Sequence, residues 1–391
     1  MFPSILVPSN LSAHNRGLFY GQAARAQTLH SRNTYARLFA SCGISWAQAC
    51  DKAMAYREVI EQLDPALLHE MQGIAHGSGL TLADIMALNC RTEILPANFL
   101  SDATHQADAA LQANRDAGLP DWLGDAPIDP AAAEGECTAM AVAPAASREG
   151  NTWLAQNWDW LGRQREALVL LHSGNEAGQR FTTLTEGGML AKIGMNTQGF
   201  ALGLNILRSL EDGVRPGVPV HVLLRHLLGC ASLGAARAAL ARIGQSLGFG
   251  AASNVPCADA QGEVACFEVA PAGWGEVPPA QGVVVHTNHF VCASLLSTQA
   301  PMGVTLSSQP RLATAQQYAA QSDIDQAALE NFLRDETDGH LSICRSPDMA
   351  LPPEGRVESV AGVIMNTSTR QMWIAPDVPS RCAFEPVILP H

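Results

Sequence analysis

Apolar and polar positions fall into two regimes along the chain. From Gln22 to about Asn89, apolar residues recur at steps of three and four, the period of a helix with one buried face. Leu29, Tyr35, Leu38 and Phe39 form a first stripe. A second helix runs from Ser45, a good N-cap, through Ala53, Tyr56, Val59, Ile60 and Leu63 to Asp64-Pro65. A third carries Leu67, Leu68, Met71, Ile74 and Ala75 and stops at Gly77-Ser78-Gly79. Thr81-Leu82-Ala83-Asp84 opens a fourth through Ile85, Met86 and Leu88. Ahead of them, residues 1–20 are short and Ser/Asn/Pro-rich, and Arg16–Gly21 reads as an early strand or turn.

From residue 137 onward the period is two, broken by Gly and Asn turns at short intervals. Strands are expected at Ala139–Val142, Thr152–Asn157, Leu168–His172, Arg180–Leu184, Leu190–Met195 and Phe200–Asn205. Two helices, Pro219–Gly229 and Leu233–Ile243, interrupt them. Ala251–Ala258 and Glu263–Val269 then flank a turn at Asp259-Ala260-Gln261-Gly262, and Gly282–His286 follows. Helices at Pro310–Gln321 and Gln326–Asp335 lead to a last hairpin of Val363–Asn366 and Gln371–Ala375. This order predicts an α+β protein in which helices cover two antiparallel sheets.

Residues 97–136 belong to neither regime. They are acidic and rich in Ala and Pro, with one weak helical patch around Ala107–Ala117. An unstructured connection of this length inside a compact unit is usually functional or mobile. The rest of the composition narrows the function by exclusion. With 16% charged residues and a net charge of −13, the chain lacks the basic footprint of a nucleic-acid binder. At 391 residues and 47% hydrophobic content it can bury a large core, yet no apolar run is long enough to span a bilayer. The first residues lack the basic start and apolar core of a secretory signal. Ten cysteines with no Cys-x-x-Cys pair suit a reduced, cytoplasmic chain whose thiols are mostly buried.

One cysteine stands apart. Cys137 follows the acidic linker directly and heads an alternating apolar segment, Gly135-Glu136-Cys137-Thr138-Ala139-Met140. A hairpin turn at Arg148-Glu149-Gly150 brings back Gln156-Asn157-Trp158-Asp159-Trp160, so a thiol and a carboxylate can meet across two strands. Further on stand His286-Thr287-Asn288-His289 and Ser342-Ile343-Cys344-Arg345. A zinc site at His286 and His289 is disfavoured, since asparagine lies between them and no Asp/Glu/Cys set is near.

These four anchors, in this order, resemble the acyl-coenzyme A:isopenicillin-N acyltransferase family of N-terminal-nucleophile (Ntn) cysteine hydrolases, which also includes hydrolases of β-alanyl-dopamine. Glu70–Thr81 and Ala87–Ile94 are similar to the family's helical region, where Asn89, Arg91 and Glu93 would fix a helix end near the site. The resemblance implies a four-layer αββα sandwich and self-cleavage between Glu136 and Cys137. Residues 1–136 would form an α fragment and 137–391 a β fragment of one unit. Cys137 would be the nucleophile, Asp159 would position its new α-amine, Asn288 would line the oxyanion hole, and Arg345 would hold the thiolate or a substrate carboxylate. Ala251-Ala252-Ser253-Asn254 would form a site wall.

The chemistry expected of that set begins with the thiol attacking the Glu136 carbonyl, giving a thioester that water opens. The freed α-amine, with a pKa near 8 in peptides, would then serve as base for its own thiol. An oxyanion donor such as Asn288 contributes about 3–4 kcal/mol elsewhere. The family usually has glycine just before the nucleophile, whereas this chain has Glu136, with Gly135 one place earlier. The expected substrate is a small linear amide, resolved from Cys137 by water or by an amine, with no cofactor, metal, nucleic acid or membrane partner. The alternative is an unprocessed, non-catalytic binding protein on the same scaffold.

Overall fold

The computed structural model describes residues 1–95, 104–120, 137–301, 307–351 and 353–389. Strand β1 (Ser4–Leu6) precedes a helical region made of α1 (Ala13–Ala23), α2 (Arg25–Ser41), α3 (Trp46–Met54), α4 (Arg57–Leu63), α5 (Pro65–Ser78), α6 (Leu82–Asn89), the single turn α7 (Arg91–Ile94) and α8 (Thr104–Asp116). The hairpin β2 (Cys137–Val142) and β3 (Trp153–Leu161) follows. Next come β4 (Leu168–Gly174), β5 (Arg180–Glu186), β6 (Ile193–Asn196), β7 (Ala201–Leu202) and β8 (Asn205–Ile206). Helices α9 (Val220–Leu227) and α10 (Leu233–Ser246) separate these from β9 (Ser253–Ala258), β10 (Val264–Ala270), β11 (Gly273–Val277) and β12 (Val283–His286). Helices α11 (Ser308–Ala319) and α12 (Gln326–Leu333) lead to β13 (Val357–Asn366), β14 (Gln371–Ala375) and β15 (Glu385–Val387).

Among the described residues the strands form two sheets, one of nine strands and one of six. The first runs β1-β4-β5-β6-β7-β9-β10-β11, with β8 beside β9. The second runs β12-β2-β3-β13-β14-β15. Every pairing is antiparallel except β1 with β4. Strands β2 and β3 face β9 across the sheet interface, while α11 and α12 pack on the opposite face of β2, β3, β12 and β13. Helix α2 covers β5 and α10 covers β11 on the far side of the larger sheet. The expected helix–sheet–sheet–helix order is therefore present. No helix among the described residues is long and apolar enough to cross a membrane.

The local reasons are visible in the residues. Ser45 caps α3 in a reciprocal box with Gln48, and Thr81 does the same for α6 with Asp84. Pro65 opens α5, and Gly79 ends it at φ 74°. Helices α1 and α5 lie so close that a Cβ on Gly17 would sit 1.9 Å from the Glu70 carbonyl oxygen, and one on Gly73 2.0 Å from that of His14. Only hydrogen side chains permit that approach.

Several expectations are corrected. Arg16–Gly21 lies inside α1, neither strand nor turn. The predicted second helix is two, broken at Ala55-Tyr56. Strands β11 and β15 had no clear period, since β11 is half-buried throughout and β15 is a three-residue edge. Within the acidic linker, Thr104–Asp116 is a full helix. It docks on α2 through Ala110 and Leu111 against Ala40. Asn114 pins it: its Nδ2 donates to the Ala36 carbonyl and its Oδ1 accepts from the Trp46 N–H. Residues 96–103 and 121–136, including Glu136, lie outside the described residues.

Candidate functional site

The site is built on the β2–β3 hairpin. Register places Cys137 opposite Trp158 and Thr138 opposite Asn157. Both strands are buried along their whole length, so each face packs on something. Alternation sends Cys137, Trp158 and Trp160 toward the larger sheet, and Thr138, Asn157 and Asp159 toward α11 and α12. Asn157 ties that outer face down, its Nδ2 donating to the Leu333 and Ile343 carbonyls.

On the outer face two side chains converge on the Cys137 backbone. The Cys137 N–H donates to Asn288 Oδ1 at 2.8 Å. Arg311, from the first turns of α11, donates through Nη1 to the Cys137 carbonyl and Thr138 Oγ1, both at 2.8 Å, and through Nη2 to Asn288 Oδ1 at 3.0 Å. Asn288 Nδ2 gives one N–H to the Ile206 carbonyl at 2.9 Å. With two donors on the oxygen and a carbonyl beyond the nitrogen, the amide orientation is fixed. Asn288 thus meets the nitrogen of the expected scissile bond through its oxygen, which the sequence did not anticipate.

The turn bearing Asn288 is itself held. His286 Nε2 lies 2.8 Å from Glu268 Oε1 and its Nδ1 2.8 Å from the Thr287 carbonyl. Glu268 also accepts from the Val291 and Cys292 N–H groups. These bonds make His286 a brace for the turn. His289 Nδ1 lies 2.7 Å from Ser308 Oγ, which accepts from the Asn288 N–H.

Asp159 is fully buried, and its Oδ1 accepts from Ser359 Oγ at 2.6 Å. Burial pushes its carboxyl up to about 7, with Arg311 and the Ser359 hydrogen bond pulling the other way. The Cys137 thiol is raised to about 11, by burial first and by the Asp159 charge. Lys192, a backbone hydrogen bond from Asp159 and Arg311 all favour the thiolate. Arg345 reaches this set through its backbone: its N–H donates to Ser359 Oγ and its carbonyl accepts from the Ser359 N–H, each at 2.9 Å. Its half-buried guanidinium is lowered to about 10 by burial, with Asp348 as acidic neighbour. The guanidinium acting on both Cys137 and Asp159 is that of Arg311.

The structure thus brings Cys137, Asp159 and Asn288 together, and attaches Arg345 through Ser359. Sequence reading missed Arg311, Ser359 and Lys192. Arg311 had no signal beyond being a cation in an amphipathic helix. Lys192 had one, because Lys52 and Lys192 are the chain's only lysines and Lys192 lies in the apolar run Met189-Leu190-Ala191-Lys192-Ile193. Asn89, Arg91 and Glu93 act nearby, as expected. Asn89 grips the segment before Lys192, donating to the Gly188 carbonyl and accepting from the Leu190 N–H, both at 3.0 Å. Glu93 Oε1 caps α9 at the Val220 N–H, and burial raises its carboxyl to about 7. Of the expected wall, Asn254 Nδ2 donates to Asn205 Oδ1 in the adjoining strand β8.

A two-sheet α+β sandwich with a buried cysteine at the head of a central strand defines a class, and sequence comparison supplies the family. Residues 146–379 match the model of the acyl-coenzyme A:6-aminopenicillanic acid acyl-transferase family. The chain belongs to that family. The match covers Asp159, Asn288, Arg311 and Arg345 and begins after Cys137. The 40 kDa form of acyl-coenzyme A:6-aminopenicillanic-acid-acyltransferase from Emericella nidulans is 26% identical over 291 residues, 74% of this chain and 70% of that protein. Among solved structures, a mutant of conjugated bile acid hydrolase from Clostridium perfringens aligns at 10% identity and a TM-score of 0.39, covering 64% of this chain and 97% of that one. Penicillin V acylase from Agrobacterium tumefaciens aligns at 12% and 0.34, covering 61% and 83%. The family and the E. nidulans relative support an enzymatic role in acyl transfer.

Proposed function

We propose that the chain is a self-cleaving precursor that becomes an Ntn cysteine amidohydrolase or acyltransferase on small linear amides. The observation that carries this reading is the Cys137 nitrogen at 2.8 Å from Asn288 Oδ1, with Arg311 bridging the same amide to the Cys137 carbonyl. A buried structural cysteine needs no such arrangement around its backbone nitrogen. That arrangement holds the nitrogen of the bond before Cys137 while the thiol points to the other face.

In the precursor, Sγ attacks the Glu136 carbonyl carbon. The C–N electrons pass to nitrogen, which takes a proton, and water opens the thioester. In the mature enzyme the α-amine on Asn288 Oδ1 is the base for the thiol, and Asp159 sets its charge. The Asn288 amide serves the oxyanion through Nδ2. An incoming amide acylates Sγ, and water or an amine resolves the thioester. The expected location is the cytoplasm.

The test is acyl-enzyme trapping. Protein mixed briefly with a panel of small amides and quenched in acid should carry the acyl mass on the peptide beginning at Cys137. Hydroxylamine should release it, as expected of a thioester. Turnover of an amide by protein whose Cys137 never acquires an acyl group would rule the mechanism out.

A further inference from the structure

On the inner face of the hairpin, the thiol has a different set of neighbours. Lys192 is 2% exposed, and its Nζ sits 3.6 Å from the centre of the Trp158 ring, the residue directly opposite Cys137 on the same face. It also lies 3.4 Å from Glu186 Oε2, which Arg91 Nε approaches at 3.9 Å. Arg91 stacks on Trp160 at 4.6 Å, and its buried Nε and Nη2 make no hydrogen bond among the described residues. Tyr35 Oη, at 2.5 Å, and Gln164 Nε2, at 2.9 Å, donate to the other Glu186 oxygen as neutral groups. His221, also buried here, is kept neutral by burial, with Arg91 and Lys192 adding to the effect.

Two buried cations therefore share one carboxylate, which leaves the layer one anion short among the described residues. Unbalanced charge in an apolar layer is costly unless paired. Burial would raise the Glu186 carboxyl, but Lys192 and Arg91 hold it down, so it stays ionised. Burial lowers Lys192 to about 7, and the charges of Glu186 and Cys137 each work to keep it protonated. The group that can supply the missing anion is the Cys137 sulfur.

We propose that Lys192 is the counter-ion of the Cys137 thiolate in the uncleaved chain, stabilising it before any α-amine exists. This deepens the reading of Cys137 as the processing nucleophile and rests on it. The thiol proton leaves to water, and the thiolate paired with Lys192 attacks the Glu136 carbonyl carbon. The breaking C–N bond leaves its electrons on nitrogen, which is protonated to the amine. Hydrolysis of the thioester returns the thiol and a Glu136 carboxylate. Lys192 acts through the sulfur and the field, so it is a positioning residue. Glu186 sets how much of its charge the sulfur feels.

The test reads the sulfur directly. Uncleaved chain from brief cell-free synthesis is alkylated with iodoacetamide from pH 6 to 10, and modification is followed on the peptide containing Cys137. Comparison is made only between chains in the same covalent form, checked by intact mass. Lys192→Met leaves Arg91 and Glu186 balanced and should slow Cys137 alkylation about tenfold or more near and below pH 7, where Lys192 is charged, with a smaller difference toward pH 10, and should slow self-cleavage in parallel. Glu186→Gln should move the profile the opposite way, toward lower pH, and Lys192→Arg should alkylate at least as fast as wild type. A profile unmoved by Lys192→Met, or one unmoved or raised in Glu186→Gln, overturns the proposal. If Lys192→Met does not fold, Glu186→Gln and Lys192→Arg still decide it. A chain that never cleaves but shows these shifts would refute self-processing alone.

Discussion

The two faces of the β2–β3 hairpin handle the two functional atoms of one residue in different ways. The outer face holds the Cys137 nitrogen and is balanced in charge, with Asp159 against Arg311 and the Asn288 amide between the strands and α11. The inner face holds the sulfur and is cationic, with Lys192 and Arg91 against Glu186. Nitrogen is positioned by hydrogen bonds, which depend on distance and angle. Sulfur, beyond one backbone hydrogen bond from Asp159, is tuned by field, which acts without contact. Substitutions on the two faces should therefore fail differently, in geometry on one and in pH dependence on the other.

The largest effect should come from breaking the outer face. Asn288→Ala removes the acceptor for the Cys137 nitrogen and the amide N–H donor together. It should keep the fold and lose two to three orders of magnitude in turnover, about the loss of one oxyanion donor elsewhere. Near-normal turnover in processed Asn288→Ala would remove the residue from the mechanism. Arg311→Met should be as severe for activity and also destabilise by about 1–3 kcal/mol, since it takes the donor from the buried Cys137 carbonyl and Thr138 Oγ1. Urea midpoints and amide assays on the purified variant check both effects.

A smaller effect separates the faces by pH. Asp159 titrates near 7 in the fold against about 3.9 unfolded, so the native state binds the extra proton between those values. Its contribution to stability is full below about 4 and is lost as pH rises through 7. Lys192 is lowered to about 7 against about 10.4 unfolded. Its contribution is full above about 10 and is lost as pH falls through 7. In the uncleaved Cys137→Ala chain, Asp159→Asn should flatten the fall in stability from pH 4 to 7, and Lys192→Met the rise from 7 to 10. Urea midpoints at four pH values check both slopes. If each variant changed both limbs equally, the faces would not be separate.

The smallest expected effect concerns Arg345. Because its backbone brackets Ser359, Arg345→Lys should cost less than about tenfold in turnover, whereas Ser359→Ala should raise the Asp159 carboxyl further and displace the activity profile to higher pH. A greater loss in Arg345→Lys than in Arg311→Lys would give the guanidinium role back to Arg345.

The outer face was largely legible in the sequence because its parts lie in short runs with distinct composition: Gly-Glu-Cys-Thr, Asn-Trp-Asp, His-Thr-Asn-His. Arg311 was not, since an arginine on a helix with Ser308, Leu312 and Ala315 looks like any solvated cation until the helix is docked. The inner face is assembled from α7, β3, β5 and the segment before β6, and no local period reports such a meeting. The helical layer showed the same limit. Its stripes predicted α2, α5 and α6, and α3 with α4 as a single helix, but the Gly17–Gly73 approach that makes α1 a helix partner of α5 depends on contacts between distant segments. Strands buried on both faces lose the polar half of their alternation, which is why β3 extends through Asp159 to Leu161 beyond its expected end at Asn157.

The central claim is that Cys137 cuts the bond before itself. Intact mass of purified wild-type protein beside Cys137→Ala tests it most directly. The account predicts two fragments for wild type, residues 1–136 and 137–391, and one undivided chain for Cys137→Ala. A wild-type chain that stays whole, or a Cys137→Ala chain divided at the same bond, would contradict it.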